Sequence, residues 1–123
     1  MKVRIRGNSV RMRLSQQEVQ SFKENGKIKD RIQFGSLAGG TLAYALIAAD
    51  IQKLECAFKD NTICILVPKE LGEMWVDSDM VGMEHLSTNH ENEQIRILVE
   101  KDFKCLKHRV NEDESDSYPH PKG

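Results

Sequence analysis

The first fourteen residues, Met1-Lys-Val-Arg-Ile-Arg-Gly-Asn-Ser-Val-Arg-Met-Arg-Leu14, alternate apolar and basic side chains on both sides of Gly7-Asn8-Ser9. Side chains of a strand point to opposite faces in turn, so this alternation describes strands with one buried face. Two such runs around a short polar turn form a hairpin. A two-residue Asn8-Ser9 turn predicts the pairs Arg6–Arg11, Ile5–Met12, Arg4–Arg13 and Val3–Leu14. Val3, Ile5, Met12 and Leu14 then share one face, and Arg4, Arg6, Arg11 and Arg13 share the other. A three-residue turn would mix the two sets, so the pattern itself selects the even register. Like charges placed directly opposite each other are unfavourable by roughly a few tenths of a kcal/mol per pair. The arginine face therefore needs an anion.

The hairpin leads straight into a helix. Ser15 and Glu18 have the spacing of a capping box, and Leu14 and Val19 that of a hydrophobic staple. Val19 and Phe22 supply a buried stripe, and Gly26 can end the helix in the left-handed conformation. The helix is expected over residues 16–25, with Leu14, Val19 and Phe22 packed together and Ser15 as its cap.

Ile28 to Phe34 alternates again, with Asp30 breaking its apolar set. Gly35 to Gly40 is a flexible turn. Leu42 to Ile47 is apolar on both faces, as a central or helix-covered strand would be. An alanine-rich helix over Leu42–Ile51 is the rival reading. Leu54–Lys59 and Thr62–Val67 flank Asp60-Asn61, a hairpin turn signal. That register puts Leu54, Cys56, Phe58, Ile63, Ile65 and Val67 on one face. Cys56 and Cys64 then point to opposite sides, which excludes a disulfide between them. Pro68 opens a helical turn over about residues 69–75. Residues 77–92 are polar and irregular, with Val81, Met83 and Leu86 as anchors. Gln94 to Glu100 is a final strand. The expected fold is α+β: a mainly antiparallel curled sheet, or small open barrel, of about seven strands with one helix and one helical turn. No internal sequence repeat is evident.

The 123 residues suit one domain, expected over residues 1–106, followed by an acidic, flexible tail over 107–123 that has little to bury. The formal net charge of −1 gives no global field to attract nucleic acid or an acidic membrane. The longest uncharged stretch, Phe34 to Ala49, is too short to span a bilayer. No secretory signal opens the chain, and three widely spaced cysteines do not suggest a disulfide framework, so the cytoplasm is the expected compartment.

Val3-Arg-Ile-Arg-Gly-Asn-Ser-Val-Arg-Met-Arg-Leu14 and Ile97-Leu-Val-Glu-Lys-Asp-Phe-Lys-Cys-Leu106 resemble an uncharacterised family of short bacterial proteins. Its members carry an R-I-K-G-N-S-x-R-L-R-L opening and an E-K-D-F-x-C-L element, then an acidic stretch and a Pro-Asn-Pro-like end. Glu112-Asp113 and Asp116 match the acidic part, and Pro119-His120-Pro121 departs at its middle residue. The resemblance implies a stand-alone bacterial domain of unknown function. It implies no activity.

Three constellations carry chemistry. Arg4, Arg6, Arg11 and Arg13 present planar forks suited to carboxylate or phosphate. The plainer reading is a solvated face neutralised by carboxylates of the same chain, either the acidic tail or Glu100 and Asp102 folded back onto it. No aromatic residue interleaves with these arginines, which argues against single-stranded nucleic acid. Glu100 and Asp102 could act as an acid–base pair or hold Mg²⁺, against the plainer reading of a salt-bridged strand end. Cys105 and His108 have C-x-x-H spacing compatible with zinc, but no second paired motif completes a site. The expected function is a non-enzymatic binding domain without a cofactor, whose partner is an anionic ligand or an acidic protein segment. The rival is a metal-assisted hydrolase using Glu100, Asp102 and the Cys105–His108 segment.

Overall fold

The structure, a computed structural model, describes residues 1–103 and Tyr118. Four β-hairpins and two helices set the order: β1 (Lys2–Arg6), β2 (Ser9–Leu14), α1 (Gln16–Asn25), β3 (Lys27–Phe34), β4 (Gly40–Ala49), β5 (Glu55–Lys59), β6 (Thr62–Pro68), α2 (Lys69–Asp77), β7 (Gly82–Thr88) and β8 (Gln94–Lys101). The fold is α+β, with eight strands in two mixed four-stranded sheets among the described residues and no closed barrel.

The local signals hold. Ser15 Oγ accepts from the Glu18 backbone N–H, and Glu18 Oε1 accepts in return from the Ser15 N–H at 2.9 Å. Gly26 ends α1 at φ +73°, its N–H donating to the Phe22 carbonyl. Leu14 and Phe22 are buried, and Val19 is half-buried against the same core. Asp60 and Asn61 both have positive φ, as a two-residue type I′ turn requires.

The first hairpin corrects the expected register. Its turn is Gly7-Asn8, with φ +53° at Gly7, and the pairs are Lys2–Arg13, Val3–Met12, Arg4–Arg11, Ile5–Val10 and Arg6–Ser9. The shift is by two residues, so every side chain keeps its predicted face. Gly7 takes the left-handed position that a side chain would strain, which moves the turn one residue earlier.

A second correction is β7. Its inward residues are Met83, His85 and Ser87, too polar to read as a strand, and backbone pairing with β8 supplies what the side chains do not signal. The strand count is therefore eight rather than seven.

Topology also reveals a duplication that the residues conceal. The chain is two copies of a ββαββ unit, β1-β2-α1-β3-β4 and β5-β6-α2-β7-β8. Each sheet combines the first hairpin of one copy with the second hairpin of the other, in the orders β1-β2-β8-β7 and β5-β6-β4-β3. The joins are parallel, β2 with β8 and β4 with β6. Counterpart residues keep one constant separation along the chain: Val3 with Cys56, Ile5 with Phe58, Met12 with Ile65, Leu14 with Val67. Phe22 and Trp75 occupy the same position in α1 and α2, and their rings meet edge to face at 6.2 Å.

That aromatic pair marks the closed end of the molecule. Trp75, Leu14, Leu46, Val67 and Val99 are fully buried there, and the Trp75 indole N–H donates to the Val81 carbonyl at 3.1 Å. All four hairpin turns lie at the end away from the helices. Cys56 and Cys64 are free thiols, facing opposite sides of β5–β6 as expected.

Candidate anion-binding face

The outer face of the β1-β2-β8-β7 sheet follows from its registers. Lys2, Arg4 and Arg6 of β1 stand beside Ser9, Arg11 and Arg13 of β2, then Arg96, Leu98 and Glu100 of β8, then Gly82, Glu84 and Leu86 of β7. Parallel pairing of β2 with β8 sets Glu100 directly beside Arg13. Glu100 Oε1 lies 3.2 Å from Arg11 Nε and 3.5 Å from Arg13 Nε. These side chains are largely covered, with relative exposures of 21% for Arg11, 16% for Arg13 and 18% for Glu100. The expectation that Glu100 folds back onto the arginines is thus met at two of the four.

Gly82 explains how Glu100 fits. It pairs with Glu100 across β7–β8, and a Cβ there would stand 2.8 Å from the Val99 carbonyl oxygen and 3.0 Å from Glu100 Cγ. The glycine lets the glutamate lie low over the sheet, beside β2.

The neighbouring charges extend the pattern. Lys2 Nζ meets Asp102 Oδ2 at 2.8 Å, and the Asp102 N–H donates to the Leu14 carbonyl. Arg96 Nε lies 3.2 Å from Glu84 Oε1, at the far side of the sheet. Arg4, Arg11, Arg13 and Asp102 each have a further partner. Six basic side chains thus share this sheet and its edge with Glu84, Glu100 and Asp102.

Sequence reasoning named Arg4, Arg6, Arg11 and Arg13, and all four share this face. It missed Arg96 and Glu84, because only the parallel β2–β8 join brings the last hairpin alongside the first, and it left out Lys2, which the alternation of β1 already places on the face of Arg4 and Arg6. Glu100 and Asp102, named as an acid–base or Mg²⁺ pair, meet different cations, Arg11 and Arg13 for one and Lys2 for the other. Cys105, His108 and the acidic tail lie outside the described residues, and among the described residues no three His, Cys, Asp or Glu side chains are grouped to hold a metal.

The counterpart face, on the β5-β6-β4-β3 sheet, is a natural comparison. Where one sheet has Arg4, Arg11, Arg13, Arg96 and Glu100, the other has Ala57, Cys64, Leu66, Ala43 and Ile47. One backbone plan thus tolerates either chemistry.

Over residues 1–122 the chain matches the model of a family described as a family of unknown function, DUF7009. The chain belongs to that family. No curated protein and no solved structure matches it. Membership agrees with the resemblance to a family of unknown function, and it brings no assigned activity. Among the described residues of this DUF7009 chain, no helix is long and apolar enough to cross a membrane.

Proposed function

We propose that the chain is a non-enzymatic binding domain whose arginine face recognises a carboxylate-rich, extended protein segment. The observation that carries this reading is the contrast between the two outer faces. The fold accepts Ala57, Cys64 and Leu66 at the counterparts of Arg4, Arg11 and Arg13, and keeps a base, Lys59, at that of Arg6, so the first three arginines answer a demand other than folding. The rows Arg4–Arg11 and Lys2–Arg13 repeat across β1 and β2, and Arg6 extends the β1 row toward the turn. An extended acidic segment lying along the hairpin could offer one carboxylate per row, since strand side chains on one face recur every second residue. Such a segment could come from the same chain or from a partner. Arginine suits this role because its fork pairs with a carboxylate through two hydrogen bonds. The proposed setting is the bacterial cytoplasm, a reading supported by the free thiols of Cys56 and Cys64.

The test is titration of the full chain with a fluorescent peptide rich in Glu and Asp, compared with the same peptide in amide form. Binding should weaken steeply with added salt, because partly exposed charges are screened over about 10 Å at 0.1 M. Arg4→Ala with Arg6→Ala should weaken it further. Equal affinity for the acidic and amide peptides would sink the proposal.

A further inference from the structure

The end of the molecule away from the helices is open and apolar. Ile5 and Phe58, counterparts in the duplicated plan, are 60% and 67% exposed although both face inward between the sheets. They line one cavity of ≈ 220 Å³ with Val10, Ile63 and Ile95. The apolar strip continues by register from Phe58 to Ile63, Tyr44, Leu42 and Ile32. It ends on an arm: β4 pairs with β6 only from Ala43 onward, so Ile32–Phe34 and Gly40–Leu42 project past β6 as a two-stranded extension. Ile32 and Phe34 are exposed on it, and Leu37 at its tip is fully exposed.

We infer that a second copy of this chain covers the open end, with the arm of each copy lying over Ile5 and Phe58 of the other. Ile5, Ile32, Phe34, Leu37 and Phe58 together expose on the order of 600 Å², at the top of the range for the largest apolar patch on a monomer and near one partner's share of a standard interface. The cavity is smaller than the several hundred Å³ typical of small-molecule pockets, so an apolar metabolite would leave most of the patch wet. Projecting arm and receiving end belong to the same strip, which is the self-complementarity that a two-fold interface needs.

The experiment is sedimentation velocity of the full chain over a concentration series, with Leu37→Ser and Phe58→Ser. Both positions are exposed, and a urea denaturation curve on each variant at low concentration shows whether the monomer still folds. The wild-type chain should pass from monomer to dimer as concentration rises. Each variant should raise the dissociation constant by about tenfold or more, a change of about 1.4 kcal/mol, with an unchanged monomer curve. A wild-type chain that stays monomeric throughout overturns the inference. So does a dimer whose dissociation constant neither variant moves, because its interface lies elsewhere.

Discussion

Replacing Glu100 by glutamine tests the arginine face from the inside. Glutamine keeps the shape and removes the charge that lies 3.2 Å from Arg11 and 3.5 Å from Arg13. At those distances, with an effective dielectric constant of about 20, each attraction is about 5 kcal/mol before desolvation is counted. Desolvation takes back most of that. Exposed pairs are worth about 0–1 kcal/mol, whereas breaking a fully buried pair costs about 3–5 kcal/mol. The three side chains are largely but not fully covered, so Glu100→Gln should lower stability by about 2 kcal/mol. Measured by urea denaturation, with a slope of about 2 kcal/mol per molar, the midpoint should fall by about 1 M. The loss should shrink as salt is added. The same variant should bind an acidic peptide more tightly, since a competing carboxylate has gone. An unchanged midpoint at low salt would refute the role of Glu100 as counter-ion. A destabilised variant with no gain in peptide affinity would refute the competition.

Gly82→Ala should destabilise by about 1–3 kcal/mol, because its Cβ would stand 2.8 Å from an immovable backbone oxygen of Val99; a melting point equal to that of the parent chain would contradict this. Ser15→Ala removes the cap of α1 and should cost about 1 kcal/mol, read as a shift in the denaturation midpoint. Burial first, and the nearby Cys64 second, push the Cys56 thiol above its ordinary pKa. The unfolded thiol ionises first as pH rises, so the stabilising effect of a neutral Cys56 is full at lower pH and fades through the alkaline range. Cys56 in the folded chain should accordingly alkylate at a half-maximal pH higher than in the unfolded chain, and equal values would contradict the burial. Residues 1–52 alone should not fold as a monomer, since each sheet draws one hairpin from each half; a cooperative denaturation curve from that piece at low concentration would overturn the interleaved plan.

Most local structure was legible because it rests on neighbours in sequence. The capping box at Ser15 and Glu18, the left-handed stop at Gly26 and the Asp60-Asn61 turn each involve residues within a few positions, and each formed where the residues indicate. The alternation that sets arginines against apolar residues survived even the register correction at Gly7-Asn8, since a two-residue slip preserves faces. What the residues could not determine is long-range. The joins of β2 with β8 and of β4 with β6 are parallel, the first spans most of the chain and the second links its two halves, and backbone hydrogen bonds carry them without any side-chain signature. The same holds for β7, an edge strand whose inward His85 and Ser87 give no apolar pattern. Because the β2–β8 join is invisible in sequence, the residues could suggest that Glu100 meets the arginine face but not that it lies beside Arg11 and Arg13, nor that Arg96 shares their face. The duplication is hidden for a related reason. Counterpart positions need only similar volume inside, as with Met12 and Ile65, and outside they diverge as far as Arg11 and Cys64. Alternation and caps therefore wrote the hairpins and helices into the chain, while tertiary pairing alone decided which charges would meet.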